Sequence, residues 1–353
     1  MSEAEILFER RGPAAVVTLN RPKALNALNH AMVAAMHRQM AEWAHDDSVG
    51  AVVIRGAGDR AFCAGGDVRT MREIGLAKDP GFVGFFGDEY RLNSFVKRYP
   101  KPYVALLDGI VMGGGVGLSA HGSHRAVAEK TVFAMPETGI GLFPDVGGTW
   151  FLPRLPGEVG TWLALTGARL GQADVVWAGI GTHAVSASSF DRIVEMLADG
   201  ATAEMALNET SAPPADGATL PGLKAVIDRC FSGDSLEGIV DRLEAETGEH
   251  AEWAARQAAT IRTKSPTSLA IALKQMRVGP TLDFEGCMQT DYRIVNRIAE
   301  GVDFFEGVRA LLVDKDNAPR WQPATIEEID PAEIDRYFAP LARELDLSAL
   351  DRP

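Results

Sequence analysis

Hydrophobic and polar positions alternate in two different rhythms along this chain. Residues 5–20, EILFERRGPAAVVTLN, read as two short strands joined at Arg11-Gly12-Pro13, a hairpin signal. From His30 to His45 the apolar residues fall at helical spacing, and AVVIRG at 51–56 is an uninterrupted apolar run of strand length. The alternation then recurs: 83–98 predicts a helix, 102–109 a strand, GGGVGLSAHG opens a further helix, and RAVAEKTVFAM at 125–135 returns to strand. Strands alternating with helices predict an α/β architecture with helices outside a sheet. Beyond residue 200 the rhythm changes. SAPPADGATLPG at 211–222 reads as a linker or surface loop, and helical periodicity follows over 223–231, 235–246, 249–263, 267–277, 282–300 and 303–314. The pattern divides the chain into an α/β core, 1–200, and a helical carboxy-terminal region, 201–353. It shows no fixed-period repeat and no low-complexity tract.

Composition narrows the function classes. The 353 residues are 46% hydrophobic and 24% charged, ordinary proportions for a globular chain of one or two domains. A formal net charge of −13 argues against general nucleic-acid binding, which needs a cationic face. Any anionic ligand must therefore meet local donors. The cysteines, Cys63, Cys230 and Cys287, are too far apart to suggest a disulfide framework or a paired metal site, so a reducing compartment is expected. MSEAEILFERRG has the character of neither a signal nor a transit peptide, and no stretch approaches the roughly 18 apolar residues of a membrane span. The resulting expectation is a cytoplasmic protein without membrane contact.

Two glycine-rich loops follow strands. GAGDRAFCAGGDV, 56–68, and DGIVMGGGVGLSAHG, 108–122, each place glycines where a strand ends and a helix begins. Glycine there commonly serves a tight turn, but it also exposes backbone N–H groups to a ligand that meets no Cβ. Two such loops on neighbouring strands supply the converging donors an oxyanion requires, without lysine or arginine. Other motifs fail. Gly113 and Gly115 are followed by Leu118 where a dinucleotide fingerprint needs glycine, and Ser119 is followed by Ala120-His121-Gly122, one residue too long for a nucleophile elbow. No Walker A or HExxH motif is present, and the seven histidines show no ligand spacing, so no metal is expected.

In MPETGIGLFPDVGG, 135–148, Glu137 and Asp145 are the only charges in an apolar run. Two carboxylates desolvated together raise each other's pKa, which favours a split into one acid and one base. The plainer reading is structural: Asp145 capping a helix, and Glu137 in a first helical turn. Cys63 with His121 as base is a rival nucleophile, though a lone cysteine on a strand-end loop is more often core packing.

The stretches NRPKALNAL (20–28), AFCAGGD (61–67), KPYVALLDGIVMGGGVGLS (101–119), MPETGIGLFPDVGGTWFLPRLPG (135–157) and LTGARLGQADVVWAGIGTH (165–183) resemble the crotonase, or enoyl-CoA hydratase/isomerase, superfamily. KSPTSLAIALKQM (264–276) and DFFEGVRALLVDKDNAPRWQP (303–323) are similar to its 3-hydroxyisobutyryl-CoA hydrolase branch. The resemblance is thinnest over 186–260. It implies a spiral of ββα units with a coenzyme A thioester pocket, coenzyme A being part of the substrate, with no separate cofactor. By motif, the N–H groups of Gly66 and Gly114 would polarise the thioester carbonyl, flanked by Gly65, Asp67, Gly113 and Gly117 as substrate-binding positions. Lys23, Ala24 and Leu25 would lie along the pantetheine and adenine, and Glu89 would bind substrate. Hydratases of the superfamily carry a first glutamate three residues beyond the middle glycine of GGG; here that position is Gly117. Glu137 matches the second glutamate, and Asp145 stands where hydratases commonly have glycine. The resemblance thus implies hydrolysis of a 3-hydroxyacyl-CoA in valine breakdown, by Glu137 as nucleophile or general base, with Asp145 binding the hydroxyl or water and passing a proton to the thiolate. Isomerisation or hydration is the alternative within the family, and a non-catalytic acyl-CoA-binding protein the alternative outside it. Lys315 is placed to reach a coenzyme A phosphate or to remain a solvated surface lysine. Crotonases commonly form trimers through carboxy-terminal helices, a surface this helical region would cover, so a homo-oligomer is left open.

Overall fold

The computed structural model describes residues 4–214, 216–348 and 350; the ends of the 1–200 and 201–353 segments at 1–3 and 351–353 lie outside them. Strands β1 (Ile6–Arg11) and β2 (Ala14–Leu19) form the expected antiparallel hairpin, with Phe8 opposite Val17. β2 then pairs in parallel with β3 (Ala51–Gly56), and parallel order continues through β5 (Tyr103–Leu107), β7 (His124–Val127) and β9 (His183–Ala184), giving a six-stranded sheet ordered β1-β2-β3-β5-β7-β9. A second, three-stranded parallel sheet is built from β4 (Ala61–Cys63), β6 (Ile110–Met112) and β8 (Val132–Ala134). Each pass of the chain leaves the large sheet and contributes its next strand to the small one, so the backbone winds as a spiral.

The apolar runs explain the large sheet. Strands covered on both faces need apolar residues at every position, and Ala51, Val52, Val53 and Ile54 are all buried. Period-two alternation separates the faces. Val16, Val53 and Val104 pack on one side with Ile193 and Val194 of the helix Phe190–Ala198, while Val17, Ile54 and Ala105 join the main core on the other.

The single strand expected over 125–135 is two strands in different sheets. Residues 128–131 carry the chain between them, where the Thr131 hydroxyl donates to the Leu107 carbonyl at 2.9 Å. The loop 56–68 likewise holds β4 and leads into the helix Val68–Leu76. In the 211–222 stretch a helix, Leu220–Phe231, begins earlier than its periodicity suggested, because the Asp174 carboxylate receives the Thr219 and Leu220 N–H groups at 2.7 and 2.8 Å.

The later helices pack on the earlier ones. Phe284–Ile298 lies against Gly81–Lys97, and Pro266–Val278 against Val159–Thr166. One apolar cluster runs from Ala15 to Leu350, so the core crosses residue 200 without a break. Among the described residues no helix is long and apolar enough to cross a membrane.

Candidate active site

β4 and β6 are neighbours, so the loops that follow them open side by side. After β4 the chain turns through Gly65 at φ +114°, a conformation that disfavours a Cβ. Leu28 N–H donates to the Gly65 carbonyl at 2.8 Å and Asp67 N–H to the Leu28 carbonyl at 2.7 Å, which fixes both sides of Gly66. After β6, Gly113 at φ +48° starts the short helix Gly114–Ser119, whose first N–H has no partner within the helix. Among the described residues neither the Gly66 nor the Gly114 N–H has a protein acceptor. The loops nearly touch: a Cβ on Gly65 would lie 3.8 Å from the Gly114 nitrogen, and one on Gly113 would lie 3.3 Å from the Gly65 Cα.

Both amides border a cavity of about 230 Å³ whose walls include Met71, Phe85, Phe86, Leu142, Leu311 and Leu312. Three carboxyls enter it. Glu137 begins the one-turn helix Glu137–Ile140, directly after Pro136, and is only 4% exposed. Its Oε1 lies 3.3 Å from where a Gly113 Cβ would stand, and its Oε2 has no hydrogen-bond partner in the protein. Asp145, 3% exposed, accepts the Tyr90 hydroxyl at 2.8 Å. Glu89 comes from the same helix as Tyr90, Gly81–Lys97, and its unpartnered Oε1 occupies the space beside Gly114, 2.4 Å from an ideal Cβ there.

Burial governs the ionisation of all three. It pushes the Glu137 carboxyl well above the usual range, and the nearby Asp145 charge adds to the rise. Glu89 is raised for the same two reasons in the same order. Asp145 is pushed up to about 7 by burial, with the Tyr90 hydrogen bond pulling the other way. Like charges in one apolar cavity do not all ionise together, so near neutral pH the group holds both carboxylate and carboxylic acid.

The structural roles considered for these acids resolve differently. Glu137 does open a helical turn, yet its side chain is in the cavity. Asp145 caps nothing through its side chain, since the following helix Gly148–Phe151 starts from Gly147.

Of the other expected contacts, Gly65, Gly66, Glu89, Gly113 and Gly114 line the cavity. Asp67 does not: it caps the helix Val68–Leu76 by accepting Thr70 N–H and pairs with Arg21 at 3.1 Å. Gly117 is also outside the lining. A Cβ there would stand 2.7 Å from Val146 Cβ and 2.8 Å from Asn93 Nδ2, so any side chain at this position would force Val146 or Asn93 to shift. Lys23 and Ala24 belong to an exposed turn, Pro22–Ala24, and the Leu25 carbonyl that follows accepts Ala64 N–H at 3.0 Å, tying this segment to the first glycine loop. Lys315 is exposed.

The cysteine alternative fails on geometry. Cys63 is fully buried, its thiol donates to the Gly65 carbonyl at 3.5 Å, and burial pushes it up to about 12. His121 instead donates from Nε2 to the Val146 carbonyl at 2.7 Å.

Sequence reasoning overlooked Tyr90 and the leucines at 311 and 312. A signal for the former existed: Gly81–Lys97 buries Phe82, Phe85, Phe86, Glu89, Tyr90 and Asn93, and a helix apolar on most sides that nevertheless carries an acid marks an interior polar site.

A family model described as enoyl-CoA hydratase/isomerase matches residues 14–338. Curated relatives include the mitochondrial 3-hydroxyisobutyryl-CoA hydrolase of Danio rerio, 44% identical over 354 residues, 98% of this chain and 92% of the relative. That of Homo sapiens is 42% identical over 346 residues, 96% of this chain and 89% of the relative. Among solved structures, a carnitinyl-CoA dehydratase from Mycobacterium thermoresistibile superposes with a TM-score of 0.92 at 40% identity, covering 98% of this chain and 99% of its own. An enoyl-CoA hydratase from Rhodobacter sphaeroides gives 0.89 at 39% identity, covering 97% and 100%. The curated hydrolases are named as mitochondrial, which overturns the cytoplasmic location expected from the sequence. With its fold matched at this level, and with that family model spanning nearly all of it, the chain belongs to the enoyl-CoA hydratase/isomerase, or crotonase, family, in the branch of the 3-hydroxyisobutyryl-CoA hydrolases.

Proposed function

We propose that the protein hydrolyses the thioester of 3-hydroxyisobutyryl-CoA, releasing 3-hydroxyisobutyrate and coenzyme A. The thioester oxygen lies between the Gly66 and Gly114 N–H groups, where the charge of the tetrahedral intermediate is stabilised; one such donor is worth about 2.7–4 kcal/mol. Glu137, with an oxygen that no protein group occupies, deprotonates the water that attacks the carbonyl carbon, or attacks that carbon itself to form a mixed anhydride that water then hydrolyses to the free acid and Glu137. As the C–S bond breaks, the thiolate takes a proton from the carboxylic acid of the pair. Asp145, steadied by Tyr90, holds the hydroxyl or the water and shares that proton with Glu137. Leu311 and Leu312 close the acyl end, so the helical region completes the pocket of the α/β core.

The observation that carries this reading is the pairing of two free amides with Glu137 in one cavity, while Gly117 supplies no carboxylate and is crowded by Val146 and Asn93 where the first hydratase glutamate would stand. The names of the two solved relatives favour hydration as a second reading. Thiol release from 3-hydroxyisobutyryl-CoA, followed beside enoyl absorbance with an enoyl-CoA, separates the two. Thiol release is expected from the parent and about 10²–10⁴-fold less from Glu137→Gln. Equal release by that variant, or enoyl conversion without thiol, would overturn the hydrolase reading.

A further inference from the structure

We propose that Asp291, a residue of the helical region, is a positioning residue for Asp145, clamping in a strained conformation the turn that aims Asp145 into the cavity. The proposal rests on the role given above to Asp145 in the reacting pair.

The turn 144–147 is unusual. Val146 has φ +50°, a left-handed conformation that is rare for a β-branched residue, and Gly147 follows at φ +86°. Such a residue is strained and persists only where its surroundings over-determine it. The surroundings here do so from two sides. On one, Asp291 Oδ2 accepts Gly147 N–H at 2.9 Å, and Oδ1 accepts the Thr149 hydroxyl and, at 3.2 Å, Gln275 Nε2. The same Gln275 amide reaches the Pro144 carbonyl at 3.0 Å and Thr149 Oγ1 at 2.7 Å. On the other, His121 holds the Val146 carbonyl, and its ring lies 2.4 Å from where a Gly147 Cβ would stand. Positions 144, 146, 147 and 149 are therefore all tied, leaving the Asp145 side chain free to meet Tyr90 and the cavity.

Asp291 is completely buried, and among the described residues no cation pairs with it. Burial pushes its carboxyl up to about 8, so the group works against stability. A four-residue helix, Gly148–Phe151, does not require an acid at that cost. The geometry of the turn does, because three donors converge on one acceptor group. Relaxing Val146 to an ordinary φ would swing Asp145 away from Tyr90.

The test is a cycle. Thiol release is measured for Asp291→Asn and Thr149→Val, each in the parent and in an Asp145→Asn background, with thermal melting to establish that each is folded. In the parent background both substitutions should lower kcat about 10–100-fold with KM within about three-fold, as expected for a small misplacement of a reacting group. In the Asp145→Asn background they should change kcat less than about two-fold, since the group they position is already gone. Should Asp291→Asn fail to fold, Thr149→Val alone decides. Equal losses in both backgrounds, or turnover within two-fold of the parent for the folded variants, would overturn the positioning role. Full activity in Asp145→Asn itself would instead refute the role of Asp145 from which the inference starts.

Discussion

Asp145→Asn should slow the enzyme and stabilise the fold, and the second effect has a pH signature that follows from burial. The substitution keeps the shape of the side chain, and its amide oxygen can still accept the Tyr90 hydroxyl that now meets Oδ2 at 2.8 Å. What it removes is an ionisable group pushed from 3.8 to about 7. At ~1.36 kcal/mol for each pKa unit, carrying that charge costs the folded state about 4 kcal/mol once the pH is above 7. The raised folded-state value sets the sign. Below 3.8 the group is neutral in both states and costs nothing; between 3.8 and about 7 the unfolded chain ionises first and stability drains away; above 7 the loss is complete. An unfolding entropy of about 2.1 cal/mol/K per residue, applied to 353 residues, makes about 0.7 kcal/mol equivalent to one degree. The variant should therefore melt about 5–6 °C above the parent at pH 8.5, with little difference at pH 4. The gain should be reinforced because the Asp145 charge also raises Glu137, Glu89 and Asp291. Calorimetry across that range, with thiol release on the same samples, checks both halves. A melting difference that is the same at every pH, or a variant less stable than the parent at pH 8.5, would refute the argument.

Three further outcomes follow from the same geometry. The kcat/KM for thiol release should rise with pH on a limb near 7, where Asp145 and its partners lose a first proton, instead of near 4 as for free carboxyls; a flat profile from pH 5 to 8 would count against the carboxyl pair. Cys63→Ala should keep turnover within about three-fold, because a thiol pushed up to about 12 supplies almost no thiolate at neutral pH; a loss of about 100-fold would restore the cysteine mechanism. Gly117→Ala should destabilise the protein by about 1–3 kcal/mol by overpacking, since its Cβ would fall 2.7 Å from Val146 Cβ. Melting shows the cost, and a variant as stable as the parent would contradict the claim that this position is sterically crowded.

Much of the fold was legible because periodicity is local. AVVIRG reads as a buried strand, and the helix His30–Ala44 reads from its Met32, Val33, Met36 and Met40 stripe, capped where Asn29 accepts Met32 N–H. The same logic fails at 125–135. A period of two is identical in both sheets, so nothing in the alternation tells that His124–Val127 and Val132–Ala134 belong to different ones. For the same reason the spiral leaves no sequence repeat: its three passes share a backbone path, but the connections between sheets, 57–60, 108–109 and 128–131, differ in length and, apart from an alanine opening the first and third, in sequence.

The site divides along a similar line, and the division has an energetic cause. Glu137 and Asp145 stood out because a charge among apolar neighbours is conspicuous within a short window. Their partners come from far away: Tyr90 is 55 residues from Asp145, Gln275 is 131 from Pro144, and Asp291 is 144 from Gly147. In sequence each of these looks like one polar position on an amphipathic helix. In the fold they share a buried layer with the acids, where any one of them left unpaired would cost about 1–3 kcal/mol. The glycine loops present their two amides with backbone contacts alone, from their own turns and from Leu25 and Leu28. Keeping two carboxyls close in an apolar cavity and holding Val146 in a left-handed conformation both oppose stability, and neither can be maintained by a local segment. The helical region supplies what maintains them, through Asp291 and Gln275 behind the turn and through Leu311 and Leu312 across the cavity, so the chemistry of the α/β core depends on packing laid down after residue 260.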